Sequence, residues 1–521
     1  MGAGGLILLA VVAGTGTSVW QARTARLAAA RAELEAARAE QVKRFTLSIF
    51  EGAGAGTTAA DLLRQATGRV ERELGNRPDV AVEILTSIAY SLRGQGRAED
   101  SASAASRALA LGRDRLGADH PLTIAAAVVA GRALNDLGRD DEATPILNSA
   151  IAAARRLGLY HPLSAALQVL SSLRLYKADI NGAIAAAREA VGVVTTHAAE
   201  FSKLETANAW LNLASVLRSA RSEGGLDAAQ RGLALMQQTY GDRPTLSLMS
   251  ARVLVATGMA EVGRVRDGLD ELAAVVSAAR QLLGPQHPKL AFFVKYLGDA
   301  RFDAGDYAGA VEALQASLEI AKAGRSGGPQ SVFDIEFALV DAHASAGQAG
   351  PAVAHADAGL AVAATIKDAD PGDARALAAA RGTALMRAGR RVEAERTLDG
   401  LLAQGAVAGK ERALVEGRAA ELRILQGRAV DAVRLAEASE RVLGADRSAK
   451  FRADAERMLG QALLAAHRNG DAVDPLQKAL YLYRSSQIVV SPEQAATARD
   501  LDRASTGNAD DSPKPTDRRK P

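Results

Sequence analysis

Small and apolar residues recur at helical spacing along most of the chain, and this pattern repeats itself about every 41 residues. Each repeat contains a turn signal of the form Gly-x-x-x-x-small, such as G-R-D-D-E-A ending at Ala143 and G-R-A-V-D-A ending at Ala432. We call the last residue of this signal the anchor. When degenerate copies of the signal are included, the anchors are Ser101, Ala143, Ala183, Ala228, Gly268, Ala310, Ala352, Ala394, Ala432 and Ala472.

A second column of residues supports the same register. Twelve residues before each anchor stands a small or β-branched residue, which we call the contact position: Ala89, Gly131, Ser171, Val216, Ala256, Gly298, Val340, Gly382, Ala420 and Gly460. A residue without a large side chain lets two helices approach closely. Each repeat therefore predicts an antiparallel helix pair, in which the first helix carries the contact position and the second helix follows the glycine turn.

One helix pair cannot bury both of its faces, so successive pairs must stack on one another. The sequence therefore predicts an all-α fold: a right-handed α-solenoid of about ten hairpins over residues 79–486. Five prolines fall where a second helix must end before the next hairpin begins: Pro121, Pro162, Pro288, Pro329 and Pro371. We also predict a capping helix at 58–78, a C-terminal helix at 487–503 and a disordered polar tail at 504–521.

The first 22 residues carry no charged side chain, and their apolar stretch is long enough to cross a lipid bilayer as one helix. Trp20 and Arg23 follow it as interfacial residues would. We therefore predict a transmembrane helix at 1–22, with a cleaved signal peptide as the alternative, although a basic leading segment and a clear cleavage site are missing. Residues 23–57 then predict a helical stalk that ends in a glycine-rich hinge, because alanine, glutamate and arginine dominate before Gly52.

Composition excludes several classes of protein. The chain has 521 residues, of which 48% are hydrophobic and only 4% aromatic, and it contains no cysteine. Disulfide scaffolds, thiolate zinc sites and iron–sulfur clusters are therefore excluded. The formal net charge of +3 is small and dispersed, so we expect no nucleic-acid partner.

A search for catalytic and cofactor motifs gives no match. The segment from Gly405 to Glu411 resembles a phosphate-binding loop, but one spacing is a residue short and Glu411 replaces the required Ser or Thr. The seven histidines form no H-E-x-x-H motif, and His120, His161 and His287 each precede a proline at a repeat end, where a structural role explains them. We expect no catalysis, no cofactor and no metal site.

The first helices of the hairpins are predicted to line a concave groove. If the contact position packs inward, its neighbours at −6, −3, +1 and +4 face that groove. The candidate partner-binding residues on this face are Tyr90, Arg132, Asn135, Trp210, Phe292, Lys295, Asp299 and Arg457. The alternative is that Trp210 and Phe292 fill gaps between repeats and the charged residues are only solvated.

These columns of small residue, alanine and proline resemble the tetratricopeptide repeat. The long period and the endings L-G-A-D-H-P at Pro121 and L-G-P-Q-H-P at Pro288 are similar to the kinesin-light-chain subtype. The resemblance covers roughly residues 77–485 and implies a scaffold for protein or peptide partners. The third repeat departs from it by having Ala178-Asp179 where glycine is expected, and the fourth by an insertion at 222–225.

The order of apolar helix, Ala/Arg/Glu stalk, V-K-R-F-T-L-S-I-F-E-G-A (42–53) and T-A-A-D-L-L-R-Q-A-T-G-R-V-E-R-E-L (58–74) has a second resemblance. It is similar to the region after the catalytic domain in bacterial transmembrane serine/threonine kinases with such repeats. No H-R-D loop, D-F-G or V-A-I-K lysine occurs in this chain. The two expectations are a membrane-anchored scaffold, which signals with a separate kinase or other protein, and the sensory half of such a kinase.

The two arguments about topology disagree. Arginines just after the apolar helix predict repeats in the cytoplasm, whereas the kinase resemblance implies repeats on the opposite side of the bacterial inner membrane. We favour the periplasm for the repeats, with the cytoplasm as the open alternative.

Overall fold

In the computed structural model, the described residues are 58–510, without 96, 178, 221, 242, 324–327, 367–370, 406 and 447, together with 40, 43, 45, 48 and 49. This part of the chain is all-helical, with twenty-two α-helices and no strand between 58 and 510. We number the helices in chain order. They are α1 Ala59–Glu73, α2 Pro78–Gly94, α3 Ala98–Arg115, α4 Pro121–Asp136, α5 Asp140–Leu157, α6 Tyr160–Tyr176, α7 Ile180–Thr196, α8 Lys203–Ser219, α9 Gly225–Tyr240, α10 Leu246–Glu261, α11 Val265–Leu283, α12 Pro288–Asp303, α13 Tyr307–Ala323, α14 Gly328–Ser345, α15 Ala349–Ala363, α16 Pro371–Arg387, α17 Arg391–Leu402, α18 Gly409–Leu425, α19 Ala429–Leu443, α20 Ala449–Ala465, α21 Asn469–Ser486 and α22 Pro492–Asp510.

Helices α2 to α21 form ten consecutive hairpins, as the repeat predicts. The turn positions are confirmed, because every anchor is the fourth residue of a second helix: Ala143 in α5 and Ala432 in α19 are examples. Each contact position lies within the preceding first helix. The turns themselves use glycine in the left-handed region, as at Gly138 and Gly427, where φ is +71° and +72°.

The contact position is small because a leucine of the second helix occupies the space beside it. A Cβ added to Gly131 would lie 2.6 Å from Cγ of Leu147, and one added to Gly460 would lie 2.5 Å from Cγ of Leu476. The same pairing joins Gly298 to Leu314 and Gly382 to Leu398. These four leucines are almost fully buried, so the close approach of the two helices forms the interior of each hairpin.

The prolines and two of the histidines shape the starts of first helices. Pro121 and Pro288 occupy the first helical position, where a missing N–H costs nothing. His120 and His287 precede them as N-caps, and Nδ1 of His120 accepts a hydrogen bond from the backbone N–H of Leu122 at 3.2 Å. A structural role for these two histidines therefore follows from the capping geometry.

The chain divides into two compact units, Met1–His197 and Ala198–Pro521, where the sequence predicts a single solenoid. The described part of unit 1 contains hairpins one to three, and unit 2 contains hairpins four to ten and α22. The core of unit 1 is one cluster dominated by alanine, valine and leucine, to which Phe45 and Ile49 also belong. In unit 2 the apolar residues form several smaller clusters.

The predicted ends of the repeat array need correction. The helix before the first hairpin is Ala59–Glu73 rather than 58–78, since Gly75 interrupts it. The last helix begins at Pro492, and the prediction of disorder from 504 is wrong for residues 504–510, which continue it. Residues 1–22, predicted to cross the membrane, lie outside the described residues, as do the 23–57 stalk and hinge apart from the five positions given above. No helix in the described part of the chain is both apolar and long enough to cross a bilayer.

Candidate functional site

A cavity of about 380 Å³ opens among the hairpins of unit 2. Its wall is built by the first helices of hairpins six to ten, which are α12, α14, α16, α18 and α20, and by parts of α19 and α22. Each first helix contributes residues from the face that the sequence register indicates. Phe302, Asp341, Thr383, Glu421 and Arg457 occupy the positions +4, +1, +1, +1 and −3 from their contact residues.

The chain after the last hairpin returns to the sixth hairpin and closes one end of this group of helices. We call residues 487–493 the strap. The backbone N–H groups of Ile488 and Val489 donate to the carbonyl oxygen of Ala304 at 3.1 and 3.4 Å. The hydroxyl of Tyr307 donates to Oε2 of Glu493 at 2.8 Å, across 186 residues of sequence. Glu493 itself lines the cavity, so the strap forms part of the wall.

A group of charged and phenolic side chains lies at the strap side of the cavity. Nζ of Lys450 is 3.3 Å from Oδ2 of Asp454 and 4.9 Å from the ring centre of Phe302. The hydroxyl of the buried Tyr483 donates to Oδ1 of Asp454. Nη1 of Arg457 donates to Oε1 of Gln461 at 2.8 Å. This group ties α20 and α21 of hairpin ten to α12 of hairpin six.

The opposite charges of this group stabilise one another, and this shifts their pKa values: the pKa of Asp454 is lowered despite burial, mainly by Lys450 and Arg457. Burial is the largest effect on Lys450 and Arg457 and by itself lowers the pKa of both. Asp454 together with Tyr307, Glu493 and Asp303 outweighs burial at Lys450. Tyr483 together with nearby acidic groups outweighs burial at Arg457, so both pKa values lie above the ordinary range. Burial also raises the pKa of Tyr307 to about 12, and Glu493 adds to that effect.

Three polar atoms in the cavity wall are buried without a hydrogen-bond partner in the described structure: Oγ1 of Thr383, Oγ of Ser439 and Nε of Arg457. Hydroxyls on helices ordinarily bond to a carbonyl one turn back, as Thr397 does with Glu393. Buried polar groups are nearly always paired in folded proteins. The three residues that carry these atoms line the same cavity, so its wall contains polar groups whose hydrogen-bonding capacity is unused.

The described wall offers hydrogen-bonding and charged groups to a ligand. Two of its hydroxyls, on Thr383 and Ser439, have no hydrogen bond to a basic side chain that could activate them, and its lining includes no histidine. Among the described residues, no group of three or more His, Asp or Glu side chains could hold a metal ion. The arrangement can orient and desolvate a ligand by hydrogen bonds and charge.

Of the eight candidate partner-binding residues, Arg457 is the one that lines this cavity. Phe292, Lys295 and Asp299 lie further towards the start of α12, where Lys295 Nζ is 2.8 Å from Asp299 Oδ2 and Phe292 is about half exposed. Trp210, on α8, stacks under the guanidinium of Arg231 at 4.9 Å. These residues of unit 2 are therefore not gathered into one site.

The three candidates of unit 1 lie on α2 and α4. Tyr90 is exposed, and its hydroxyl is close enough to affect the pKa of Arg132, which burial lowers overall. Nε of Arg132 and Oδ1 of Asn135 are buried without a partner among the described residues. The pair Arg93 and Asp136 forms an ion pair beside them.

Several residues of the cavity are absent from the sequence-based set of candidates. Thr383 and Ser439 are common helix residues, and no sequence signal distinguishes them from hydroxyls bonded to their own helix. Asp454 and Glu421 lie at positions −6 and +1 from their contact residues, so the register applied to every hairpin would have found them. Glu493 lies outside the repeats, and only the fold reveals its place in the wall.

Two further charged clusters lie in unit 2. Glu336, which is 1% exposed, accepts from Nζ of Lys322 at 2.9 Å and contacts Nδ1 of His355 at 2.6 Å, and the His355 ring stacks on His343. Burial is the largest effect and raises the pKa of Glu336, but the bonds from His355 and Lys322 outweigh it and leave this pKa below its ordinary value. The clustered carboxylate and imidazoles therefore couple hairpins six and seven.

The second cluster centres on Arg423, which is 5% exposed. Its Nη2 lies 2.5 and 2.7 Å from the two carboxylate oxygens of Asp399, and its Nη1 donates to Glu395 and Gln426. These bonds join α18 to α17 of the preceding hairpin.

Solved structures with similar folds include a Rap protein complexed with competence and sporulation factor, at 14% identity and a TM-score of 0.43, over 82% of this chain and 99% of that one. The tetratricopeptide-like repeats of a Podosopora anserina kinesin light chain match at 22% identity and a TM-score of 0.33, over 37% of this chain and 92% of that one. The human IFIT1 dimer with PPP-AAAA matches at 13% identity and a TM-score of 0.44, over 87% of this chain and 96% of that one. Similarities this weak say nothing about the ligand of this chain.

Among curated proteins, no sequence matches the chain. The tetratricopeptide-repeat family matches residues 79–156. This range covers α2 to α5, the first two hairpins of unit 1. Residues 79–156 are therefore tetratricopeptide repeats.

Proposed function

We propose that this chain is a scaffold that binds a segment of a protein or peptide partner in the cavity of unit 2, without catalysis. The observation that carries the proposal is a cavity of about 380 Å³ whose wall holds three buried, unpartnered polar atoms. This volume is within the range of about 300–1,000 Å³ that ligand sites occupy. A peptide backbone supplies both carbonyl acceptors and N–H donors, which the Arg457 Nε and the hydroxyls of Thr383 and Ser439 can satisfy together.

The test is selection of random-sequence peptides by display on the immobilised full chain, followed by titration of the enriched peptides. Thr383→Val and Ser439→Ala each remove one unpartnered hydroxyl and keep the volume nearly constant. We expect each to weaken binding by about five- to thirtyfold, since about 1–2.5 kcal/mol is lost with a buried hydrogen bond. Thr239→Val is the matched control, because Thr239 is exposed on α9 and its hydroxyl bonds to its own helix. Equal affinity for all three variants would refute the cavity as the site.

The groove candidates outside the cavity provide a second test. Variants at Trp210, Lys295 and Arg132 should leave the enriched peptides bound with unchanged affinity if the cavity alone holds the partner. A large loss at Trp210 or Lys295 would place the binding face earlier in unit 2, and a loss at Arg132 would place it in unit 1.

We propose in addition that residues 1–22 anchor this scaffold in a bacterial inner membrane, with the repeats in the periplasm. The support is the uncharged apolar sequence before Arg23 and the resemblance of the following segments to those of transmembrane kinases. Fractionation of cells should recover the full chain with the membrane after an alkaline wash. Protease added to intact spheroplasts should cleave the repeats, and protection of the repeats would assign them to the cytoplasm.

The alternative function is the sensory half of a transmembrane serine/threonine kinase. The observation that favours it is the similarity of residues 42–53 and 58–74 to the segment that follows the catalytic domain in such kinases. A kinase domain encoded in frame ahead of residue 1 would support this alternative. Genomic sequence without one would leave the scaffold as the better proposal.

A further inference from the structure

The charged residues of the cavity wall carry an excess of negative charge. The basic residues of the lining are Arg387, Arg418, Lys450 and Arg457, and the acidic ones are Asp303, Asp341, Glu421, Asp454 and Glu493. Four positive and five negative charges leave a net charge of −1. Without Glu493 of the strap the two signs would balance, so closure of the strap gives the cavity its excess of negative charge.

The acidic groups also keep unused hydrogen-bonding capacity. Glu421 lies close enough to Arg457 to affect its pKa but has neither an ion pair nor a side-chain hydrogen bond among the described residues, and the Glu493 carboxylate accepts from the Tyr307 hydroxyl alone. Two of the basic groups already have ion-pair partners within the wall. Nζ of Lys450 lies 3.3 Å from Oδ2 of Asp454, and Nη2 of Arg418 lies 3.7 Å from Oδ1 of Asp341. Two carboxylates therefore remain available to a ligand.

The two remaining basic groups do not reverse this conclusion. Arg387 donates to the carbonyl oxygen of Ala344 in the preceding hairpin. Arg457 lies close enough to Glu421, Glu493 and a third carboxylate for them to raise its pKa despite burial. Arg457 also donates from Nη1 to Oε1 of Gln461, so both guanidiniums already have partners within the structure.

Aromatic rings in the same wall add to the attraction for a cation. Nζ of Lys450 lies 4.9 Å from the ring centre of Phe302 and 5.9 Å from that of Tyr307. Nζ of Lys410 lies 4.1 Å from the ring centre of Phe451, which also lines the cavity. An ammonium or guanidinium beside both a carboxylate and an aromatic face is stabilised by both. Lys450, beside the Phe302 ring and the Asp454 carboxylate, already shows how this wall can hold a cation.

Part of the closed arrangement of the strap is energetically unfavourable. Both side-chain amide atoms of Gln487 are buried without a partner, which costs free energy in the closed position. Ile488, Val489 and Val490 of the same segment are exposed. The attachment to hairpin six consists of two backbone hydrogen bonds, the Tyr307–Glu493 bond and the buried Ser491. Opening the strap exposes the Gln487 amide to water, and the hydrogen bonds that it gains there offset part of the free energy lost with the strap's own bonds.

We propose that the cavity binds a lysine or arginine side chain of the partner, and that the strap closes over it and contributes Glu493 as one of its two carboxylate ligands, with Glu421 as the other. This inference rests on the proposed function, because it specifies the partner segment that the same cavity holds. The strap gives the cavity its preference for a positively charged side chain, since the charges of the wall formed by the hairpins alone sum to zero.

The test uses short alanine peptides, capped at both ends, with a single arginine, lysine, citrulline or glutamate at the centre. Binding to the full chain is measured by titration calorimetry. The arginine and lysine peptides should bind, whereas citrulline, which keeps the shape of arginine without its charge, should bind at least about tenfold more weakly. Higher salt should weaken the arginine peptide more than citrulline.

The carboxylates are tested by removal of their charge. Glu493→Gln and Glu421→Gln should each weaken the arginine peptide about tenfold. Glutamine at 493 can still accept from Tyr307, so the strap remains in place. Glu319→Gln is the control, because Glu319 is an exposed carboxylate of α13 outside the cavity lining, and it should change nothing.

The strap is tested by a pair of glycine substitutions. A Cβ at Gly305 would lie 3.0 Å from the carbonyl oxygen of Val489, whereas one at Gly347, in the equivalent turn of the next hairpin, would meet nothing within 4 Å. Both glycines have φ near +80°, so both alanine variants carry similar backbone strain. Gly305→Ala should weaken the arginine peptide as Glu493→Gln does, and Gly347→Ala should not.

Equal binding of the arginine and citrulline peptides, preferential binding of the glutamate peptide, or no binding of any of the four would overturn the inference. So would unchanged affinity in both Glu493→Gln and Glu421→Gln. The proposed function would survive each of these results if displayed peptides without basic residues still required Thr383 and Ser439. It would fail separately if no enriched peptide depended on those hydroxyls.

Discussion

The glycine at the contact position of the tenth hairpin offers a direct test of how the hairpins are packed. A Cβ at Gly460 would lie 2.5 Å from Cγ and 2.7 Å from Cδ2 of Leu476. Carbon atoms in contact are normally about 3.5–4.0 Å apart, so Gly460→Ala creates an overlap of about 1 Å or more. Leu476 is fully buried, so its Cγ can shift only by displacing neighbouring side chains of the packed interior. Either these side chains or the two helices must therefore move apart.

The magnitude follows from two opposing effects. Inserting a methyl group into a tightly packed interior costs about 1–3 kcal/mol, while replacing glycine by alanine within a helix gains up to about 1 kcal/mol. Gly400→Ala provides the control, because Gly400 is exposed near the end of α17 with nothing within 4 Å of its added Cβ. Since the helix-propensity gain is common to both variants, Gly460→Ala should be less stable than Gly400→Ala by about 1–3 kcal/mol.

The assay is hydrogen exchange of the full chain read peptide by peptide, supported by urea unfolding. Exchange is preferred because a chain with two units need not unfold in one step. Gly460→Ala should speed the exchange of α20 and α21, and Gly400→Ala should leave α17 equally or better protected. If Gly460→Ala protected α20 as well as the natural glycine does, the close-contact explanation of the small column would be wrong.

Three further predictions concern unit 2. Arg423→Met should lower the free energy of unfolding by about 2–3 kcal/mol, because it leaves the Asp399 carboxylate and its neighbours without their charged partner. Arg434→Met is the control in the same urea titration and should change the free energy of unfolding little, because Arg434 is 70% exposed. Glu336 has a lowered pKa in the folded state, so its stabilising effect is present above its ordinary pKa of 4.5 and disappears as the pH falls through the folded value. The stability of the natural chain should therefore fall more steeply below pH 4.5 than that of Glu336→Gln, and parallel curves would contradict this. The amide of Ile488 should exchange more slowly than an exposed loop amide, because it donates to hairpin six, and fast exchange would show that the strap is open.

The sequence was sufficient to predict the hairpins because their packing depends on residues close together along the chain. Gly131 and Leu147 are sixteen positions apart, and Gly460 and Leu476 have the same spacing. A steric requirement repeated at fixed spacing leaves a periodic signature in the sequence. The division at His197 has no such signature, since it depends on how many contacts cross one junction.

The candidate site could be predicted only in part, for a related reason. Of the residues that the register assigned to the groove face and the sequence selected as candidates, Arg457 lies in the wall of the cavity. Selection by residue type otherwise favoured aromatic, charged and amide residues of hairpins one, two, four and six. Thr383 and Ser439 were missed because an unpartnered hydroxyl differs from an ordinary one only in its hydrogen bonds, which the sequence does not display.

The strap changes the physical character of the hairpins that it joins. In an open repeat array each hairpin contacts only its neighbours, so stability is a sum of local terms. The contact of Glu493 with Tyr307 joins the end of hairpin ten to the turn of hairpin six. Loosening any hairpin between them then strains the same closing contact, because the path around the cavity is fixed at both ends. Hairpins six to ten should therefore respond together to a ligand. A ligand that contacts both the hairpins and the strap would stabilise the contact between them.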